Sequence, residues 1–162
     1  MRGHRPEDLA ESFAMWSDDN VVRYIGGRAF TREEVWARLL RYAGHWHWMG
    51  FGYWVLEEKA TGRFAGEVGF AEVKRGIELL PEPVPEIGWT LARWAHGQGF
   101  ATEAVGAVVD WGKARFGPGR RTVCVIHPEN VPSLRVAEKC GYREFARTAY
   151  KGGVSVLLSR AD

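Results

Sequence analysis

The sequence is poor in cysteine, in charge of a single sign and in long apolar runs. Its two cysteines among 162 residues, Cys124 and Cys140, do not make a disulfide framework and are expected as buried free thiols in a reducing, cytoplasmic setting. Cys140 has no base among its neighbours, which argues against a nucleophile. Lys and Arg number 22 against 20 Asp and Glu, for a net charge of +2. That balance is too even for a nucleic-acid binder. No apolar run approaches the roughly 18 residues of a membrane span, and no apolar signal segment opens the chain. No metal site is expected. Repeats, low-complexity tracts and linkers are absent, so residues 1–162 are read as one domain.

What the chain does have is tryptophan, eight in all, within a hydrophobic fraction of 46%. Several fall in Trp46-His47-Trp48-Met49-Gly50-Phe51-Gly52-Tyr53-Trp54. This segment is either a helix end and strand start packed in the core, or one wall of a substrate pocket supplied by Trp46, Trp48 and Tyr53.

Periodicity and punctuation give the elements. Met1 to Arg5 is too short for a full strand. Pro6-Glu7-Asp8 opens a helix that stops near Trp16. Thr31-Arg32-Glu33-Glu34 is a capping box, and the helix after it carries Val35, Leu39, Tyr42, Ala43 and Trp46 on one stripe. Tyr53 to Glu58 and Arg63 to Val73 read as a hairpin around Lys59-Ala60-Thr61-Gly62. In the returning strand Phe64, Val68 and Phe70 alternate against Ala65, Glu67, Gly69 and Ala71, which sets a carboxylate among small residues. Lys74 to Pro85 reads as a surface loop and Glu86 to Leu91 as a strand. Thr102 to Phe116 is a helix, Arg121 to Ile126 a buried strand. Asn130 is the N-cap of a further helix ending at Gly141. Tyr142 to Tyr150 and Val154 to Leu158 close the chain as a hairpin. The order is two helices, three antiparallel strands, helix, strand, helix, two strands. That implies a mixed α/β (α+β) layered fold around a central sheet.

The glycine pair between a strand and a helix, Gly97-Gln98-Gly99, marks an anion site. The first amides of a helix lack partners and carry the positive end of its dipole. It is not a P-loop, because no Lys-Ser/Thr pair follows. It is a poor dinucleotide fingerprint as well. Thr102 stands where a third small residue belongs, and no acidic residue follows about 20 positions on.

Gly97-Gln98-Gly99-Phe100-Ala101-Thr102-Glu103-Ala104 resembles the acetyl-CoA loop of GNAT-family N-acetyltransferases, most closely the RimJ/RimL-like (ribosomal-protein alanine N-acetyltransferase) branch. Asn130-Val131-Pro132-Ser133 followed by Glu138-Lys139-Cys140-Gly141-Tyr142 resembles a second signature of that family. The likeness runs from about Pro6 to about Ser159. It implies a GNAT fold, with a mostly antiparallel sheet flanked by helices and acetyl-CoA in a cleft between splayed strands. It also implies acetyl transfer to a primary amine, by direct attack in a ternary complex.

On that resemblance the pyrophosphate lies on the amides of Gly97, Gln98, Gly99, Phe100, Ala101 and Thr102. His96 stands where the family often has Gln or Arg. The pantetheine arm pairs with Trp89, Thr90 and Leu91, Arg93 reaches a phosphate, and Asn130 bonds the arm. Glu67 and Glu86 are the candidate bases, acting through water. The family's acidic Tyr, four residues before Gly141, is replaced here by Ala137. Ser133, also placed beside the cofactor, becomes the donor to the leaving sulfur, with Tyr142 as a weaker acid. A backbone N–H near Leu91 is the expected oxyanion donor. The resemblance also allows a homodimer, and neither nucleic acid nor membrane is an expected partner. Two rival readings remain. A non-catalytic acyl-CoA-binding or regulatory module is suggested by the missing Tyr, and a dinucleotide binder by the glycine pair.

Overall fold

The computed structural model describes residues 1–80 and 83–161. A single turn at Pro6–Asp8 leads into α1 (Leu9–Trp16), followed by α2 (Asp19–Val22) and α3 (Arg32–Met49). Then come β1 (Tyr53–Glu57), β2 (Phe64–Ala71) and β3 (Glu86–Leu91), a turn at Arg93–Ala95, and α4 (Phe100–Phe116). The chain closes with β4 (Thr122–Ile126), α5 (Val131–Lys139), β5 (Arg143–Tyr150) and β6 (Gly153–Arg160).

The strands form one sheet in the order β1-β2-β3-β4-β6-β5. Every neighbouring pair is antiparallel except β3 with β4. A parallel pair needs a crossover, which α4 supplies. This is the mixed, mostly antiparallel sheet flanked by helices that the sequence implied.

Local chemistry explains the boundaries. Thr31 and Glu34 close the capping box reciprocally, at 3.2 and 2.8 Å. Asp18 caps the short α2, which the sequence reading did not anticipate, by accepting from Asn20 N at 2.9 Å. Arg2 exchanges two backbone bonds with Val55, at 3.1 and 2.9 Å, and so extends the sheet by one bridge beside β1.

Three cores form among the described residues, the two larger on opposite faces of the sheet. Helix α4 buries Val105, Val108 and Val109 against Val68, Phe70, Ile87 and Leu91, with Ala137 and Tyr142 behind. On the other face α1, α2 and α3 bury Met15, Trp16, Val22 and Val35 against Val55 and Phe64. Of the expected α3 stripe, Val35, Leu39 and Tyr42 are buried, while Ala43 faces solvent. The loop after β2 is more than surface: Ile77, Leu80 and Val84 pack on Val123 and Leu157. Pro81 and Glu82 of that loop lie outside the described residues. No described helix is long and apolar enough to cross a membrane.

One expectation about faces is corrected. Leu56 pairs with Gly66 and Glu57 with Phe64, so Ala65 is skipped. This bulge shifts the alternation by one residue. Phe64 therefore joins the α1–α3 core on the side of Glu67, and Ala65 joins the α4 core. Gly66 makes the bulge possible. Its φ is +149°, and a Cβ there would lie 2.3 Å from the Thr90 carbonyl oxygen.

Gly66→Ala is thus expected to cost about 2 to 4 kcal/mol, read as a fall in melting temperature of roughly 5 to 15 °C. Gly106, inside α4 with open space around it, is the control, since Ala there gains about 0.5 to 1 kcal/mol. An unchanged melting temperature for Gly66→Ala removes this account of the bulge.

Candidate active site

Strands β3 and β4 are bridged at Glu86 and Val123, with Val123 N donating to Pro85 O at 3.0 Å. At the other end of β3, Ala92 N donates to Ala65 O at 2.9 Å. Backbone groups alternate along an antiparallel edge. The even-numbered residues of β3 therefore turn towards β2, and Ile87, Trp89 and Leu91 turn towards β4. Ile87 still belongs to the Glu86–Val123 bridge, and past it, among the described residues, no ladder receives Trp89 and Leu91. The result is a V-shaped opening with unpaired amides on one wall.

The loop at the wide end is held by side chains that bond backbone. Trp94 Nε1 donates to Phe64 O at 3.1 Å, and the Arg63 guanidinium lies 4.1 Å over the Trp94 ring. His96 Nε2 bonds Leu91 O at 2.9 Å; a carbonyl only accepts, so Nε2 carries the proton. The imidazole thus ties the loop back to β3, a role the sequence did not show. Gly97 and Gly99 have φ of +74° and +88°, and nothing lies within 4 Å of a Cβ built on either. Gly99 is the N-cap of α4 and offers no capping side chain. The amides of Phe100, Ala101 and Thr102 consequently open the helix without intrahelical acceptors. Open space, positive φ and unpaired donors together fit a phosphate-bearing ligand, and the unpaired edge of β3 fits an amide-bearing arm.

Around this opening the predicted residues sort as follows. Trp89, Thr90 and Leu91 form the β3 wall, and Gly97 to Thr102 the loop and first turn of α4. Gln98 bonds Trp94 O and so braces the loop. Arg93 is exposed, and its charge acts on Asp18 of the α1–α2 connection. Asn130 is the N-cap of α5, accepting from Ser133 N at 3.3 Å through Oδ1. Among the described residues nothing bonds its Nδ2. Ser133 sits in the first turn of the same helix.

Tyr142 does not qualify as an acid. It is fully buried, its hydroxyl pairs with Thr122 Oγ1 at 2.8 Å, and burial pushes its pKa above the ordinary value. The cysteines are buried and free as expected, and Cys140 Sγ donates to the Thr102 carbonyl at 3.7 Å.

The two carboxylates are both in ordered pairs. Glu67 is 0% exposed. The space that its small neighbours leave is filled by side chains of the α1–α3 layer. Glu67 accepts from Ser12 Oγ at 2.9 Å, Trp16 Nε1 at 3.1 Å and Tyr42 OH at 3.1 Å. His4 Nε2 lies 3.5 Å away. Burial alone would raise its pKa, but the contacts from His4, Ser12 and Trp16 outweigh it and hold the carboxyl below its ordinary value. Glu86 accepts two bonds of 2.6 Å from Arg75, at the closed end of the V.

The aromatic segment divides. Tyr53 stands on the Glu67 face and stacks on Tyr42 at 4.8 Å between centroids. Trp46 instead packs edge-on against Trp54 and Trp111, and donates to Tyr53 O at 2.9 Å. Trp48 is 84% exposed at the end of α3. Of the three, Tyr53 stands on the Glu67 face, Trp46 is half-buried among tryptophans and Trp48 is exposed. His4, Ser12, Trp16 and Arg38 complete this face, and sequence reasoning passed over them. The signal for Ser12 and Trp16 was their i, i+4 spacing on α1.

A model of the acetyltransferase (GNAT) domain matches residues 1–143. The uncharacterized protein YkkB of Bacillus subtilis is 35% identical over 147 residues, covering 87% of this chain and 79% of that protein. A putative GNAT-family acetyltransferase from Bordetella pertussis superposes with a TM-score of 0.85 at 31% identity, over 99% of this chain and 93% of that one. The aminoglycoside acetyltransferase AAC(6')-Ib, solved with paromomycin and acetyl-CoA, shares the fold at a TM-score of 0.80 and 19% identity, over 99% and 91% of the two chains.

The Glu67 cluster makes a stability prediction. A carboxyl held below its ordinary value of 4.5 binds its proton later in the folded chain than in the unfolded one. Its contribution is therefore full above that value and is lost as pH falls towards the lower, folded one. Melting temperature should drop on acidification below about pH 4.5. Glu67→Gln faces amide hydrogens against three donors and should cost about 3 kcal/mol at pH 7, with a flatter acid limb. A limb as steep in the variant as in the parent assigns the acid sensitivity to other groups.

Proposed function

The chain belongs to the GNAT acetyltransferase family and is an acetyl-CoA-dependent acetyltransferase, and from that premise we propose that it acetylates a primary amine by direct attack in a ternary complex. The acceptor is a protein N-terminal α-amine, as the RimJ/RimL-like motifs suggest, or a small-molecule amine. The carrying observation is the loop with its two positive-φ glycines beside the unpaired edge of β3. It rests on backbone donors, so His96 in place of the family's Gln or Arg leaves it intact.

When bound, acetyl-CoA supplies an activated acyl group on a thioester. The residues of this chain do the rest. The amides of Gly97 to Thr102 and the dipole of α4 neutralise the pyrophosphate. Trp89, through its backbone groups, and Leu91, through its N–H, pair with the pantetheine arm, the Leu91 carbonyl being held by His96, and Asn130 Nδ2 adds a donor from the opposite wall. Backbone N–H groups of β3 stabilise charge developing on the thioester oxygen. As the carbon–nitrogen bond forms and the carbon–sulfur bond breaks, the ammonium loses two protons in all, and the leaving thiolate gains one. A thiolate of ordinary pKa, about 8.5, leaves tolerably without a strong acid. Ser133 therefore needs only to donate a hydrogen bond to sulfur, worth about 1 kcal/mol. That also weakens the case for a non-catalytic module based on Ala137.

Glu67 and Glu86 enter through their partners. Glu67 has its oxygens engaged by Ser12, Trp16, Tyr42 and His4, and positions the Tyr42–Tyr53 stack. Glu86 holds Arg75. Water carries the amine proton away from this face, polarised by whichever carboxylate lies nearer.

Acetyl-CoA at 100 times its dissociation constant should stabilise the chain by about 2.7 kcal/mol, a rise of roughly 5 to 10 °C. NAD, the ligand of the rival dinucleotide reading, should give none. In Gly99→Val a β-branched side chain meets a positive φ and fills the anion site, and the rise should vanish while cooperative melting persists. A retained rise in that variant sinks the loop assignment.

A further inference from the structure

On the α1–α3 face of the sheet, the Tyr53 hydroxyl occupies the space that a side chain at position 88 would take. A Cβ on Gly88 would lie 2.1 Å from it. This puts a phenol over the middle of β3, beside the opening, where an acceptor must approach. The charges that act on this hydroxyl are Glu86, Arg38, Arg41 and Arg75. Glu86 and Arg75 form a bidentate pair and cancel. Arg38 and Arg41, one turn apart on α3, remain.

Arg38 is half-buried, with its guanidinium 3.8 Å over the Trp16 ring and 5.0 Å from Phe30. Its Nη1 donates to Tyr42 OH at 3.3 Å, and its Nε is buried without an acceptor. Arg41 is exposed, 5.7 Å from the Tyr42 ring. Among the described residues neither has a carboxylate partner. Glu67 meets Arg38 only through the Tyr42 hydroxyl, and its oxygens are already taken. A half-buried guanidinium without an anion is costly, and two like charges a turn apart repel. Among the described residues no carboxylate contacts either guanidinium, so the face carries positive charge without a directly paired anion. Such a face repels polycations and attracts anions.

We propose that Arg38 and Arg41 form an anion subsite of the acceptor pocket, so that the amine is delivered on a molecule that also carries a carboxylate or a phosphate. This inference rests on the acetyltransfer reading and adds the acceptor's chemical class to it. Arg38 takes the anion through its unbonded Nη2, held in plane by Trp16. Arg41 supplies long-range attraction from the rim. Tyr53 lines the path of the amine. Polycationic acceptors such as the aminoglycoside that AAC(6')-Ib binds are then poor substrates here.

The test measures acetyl-CoA-dependent thiol release over a matched series: an aminoalkyl carboxylate, the aminoalkyl phosphate of equal length, the same amine without an anion, and paromomycin. The carboxylate or the phosphate should exceed the neutral amine in kcat/KM by about tenfold or more. The difference should lie in KM, and whichever anion leads identifies the natural group. In Arg38→Gln the ratio of anionic to neutral kcat/KM should collapse towards one, with partial recovery in Arg38→Lys. Arg41→Gln should reduce it less and make it less sensitive to salt. A melting rise with acetyl-CoA shows that each variant is folded and binds the donor. Equal or better turnover of the neutral amine or of paromomycin overturns the subsite and leaves acetyltransfer standing. So does an anionic preference that survives Arg38→Gln and Arg41→Gln together. Donor binding without thiol release on any amine overturns the acetyltransfer reading, and the subsite with it.

Discussion

Strands β3 and β4 are parallel and meet at Glu86 and Val123, and their divergence beyond that bridge shapes everything functional in the molecule. A strand edge inside a sheet normally has its amides matched. Here Trp89 and Leu91 turn theirs into an opening, and an unmatched buried amide costs free energy comparable to a lost hydrogen bond. The fold bears that cost at one place. The same divergence gives α4 room to begin at Gly99 with its first amides directed to the opening. The proposed donor site is thus a consequence of sheet geometry, assembled almost wholly from backbone, and side chains such as Trp94 and His96 serve to hold the backbone still.

The opposite face has a different logic. It is organised around a fully buried carboxylate, Glu67, that four side chains from three separate segments surround. Removing one partner from such a cluster is expensive, because a buried charge is left short of a bond. The cluster therefore locks α1, α3 and the N-terminal segment onto β2. It also orients Tyr42, which carries Tyr53 on its ring and Arg38 on its hydroxyl. On the proposed reading of this face, stability and acceptor recognition share this one charge. A substitution at Glu67 will disturb both, and only a comparison of stability with selectivity separates them.

The glycine-bearing turn before α4 was legible because its geometry is local. Gly97, Gly99 and the start of a helix define a backbone shape over a few consecutive residues. The capping box at Thr31, the cap at Asn130 and the strand–helix order were readable for the same reason. The bulge at Ala65 and Gly66 was not, since it depends on the register against Leu56 and Glu57, and one skipped residue exchanged the faces of Phe64 and Ala65. The aromatic segment misled in part. Its composition fits core and pocket equally, and only the packing of Trp46 on Trp54 and Trp111, and the exposure of Trp48, separates those from Tyr53.

By itself the sequence determined the family, the glycine turn before α4 and most of the element order, though not the short α2, because each follows from short-range periodicity, capping or spacing. Tertiary structure alone decided what Glu67 and Glu86 touch, since Ser12, for one, bonds Glu67 from 55 residues away in the chain. It also decided that, among the described residues, Arg38 and Arg41 carry charge without a carboxylate. Pairing is a property of distance in space, and no count of 22 basic against 20 acidic residues shows which of them meet.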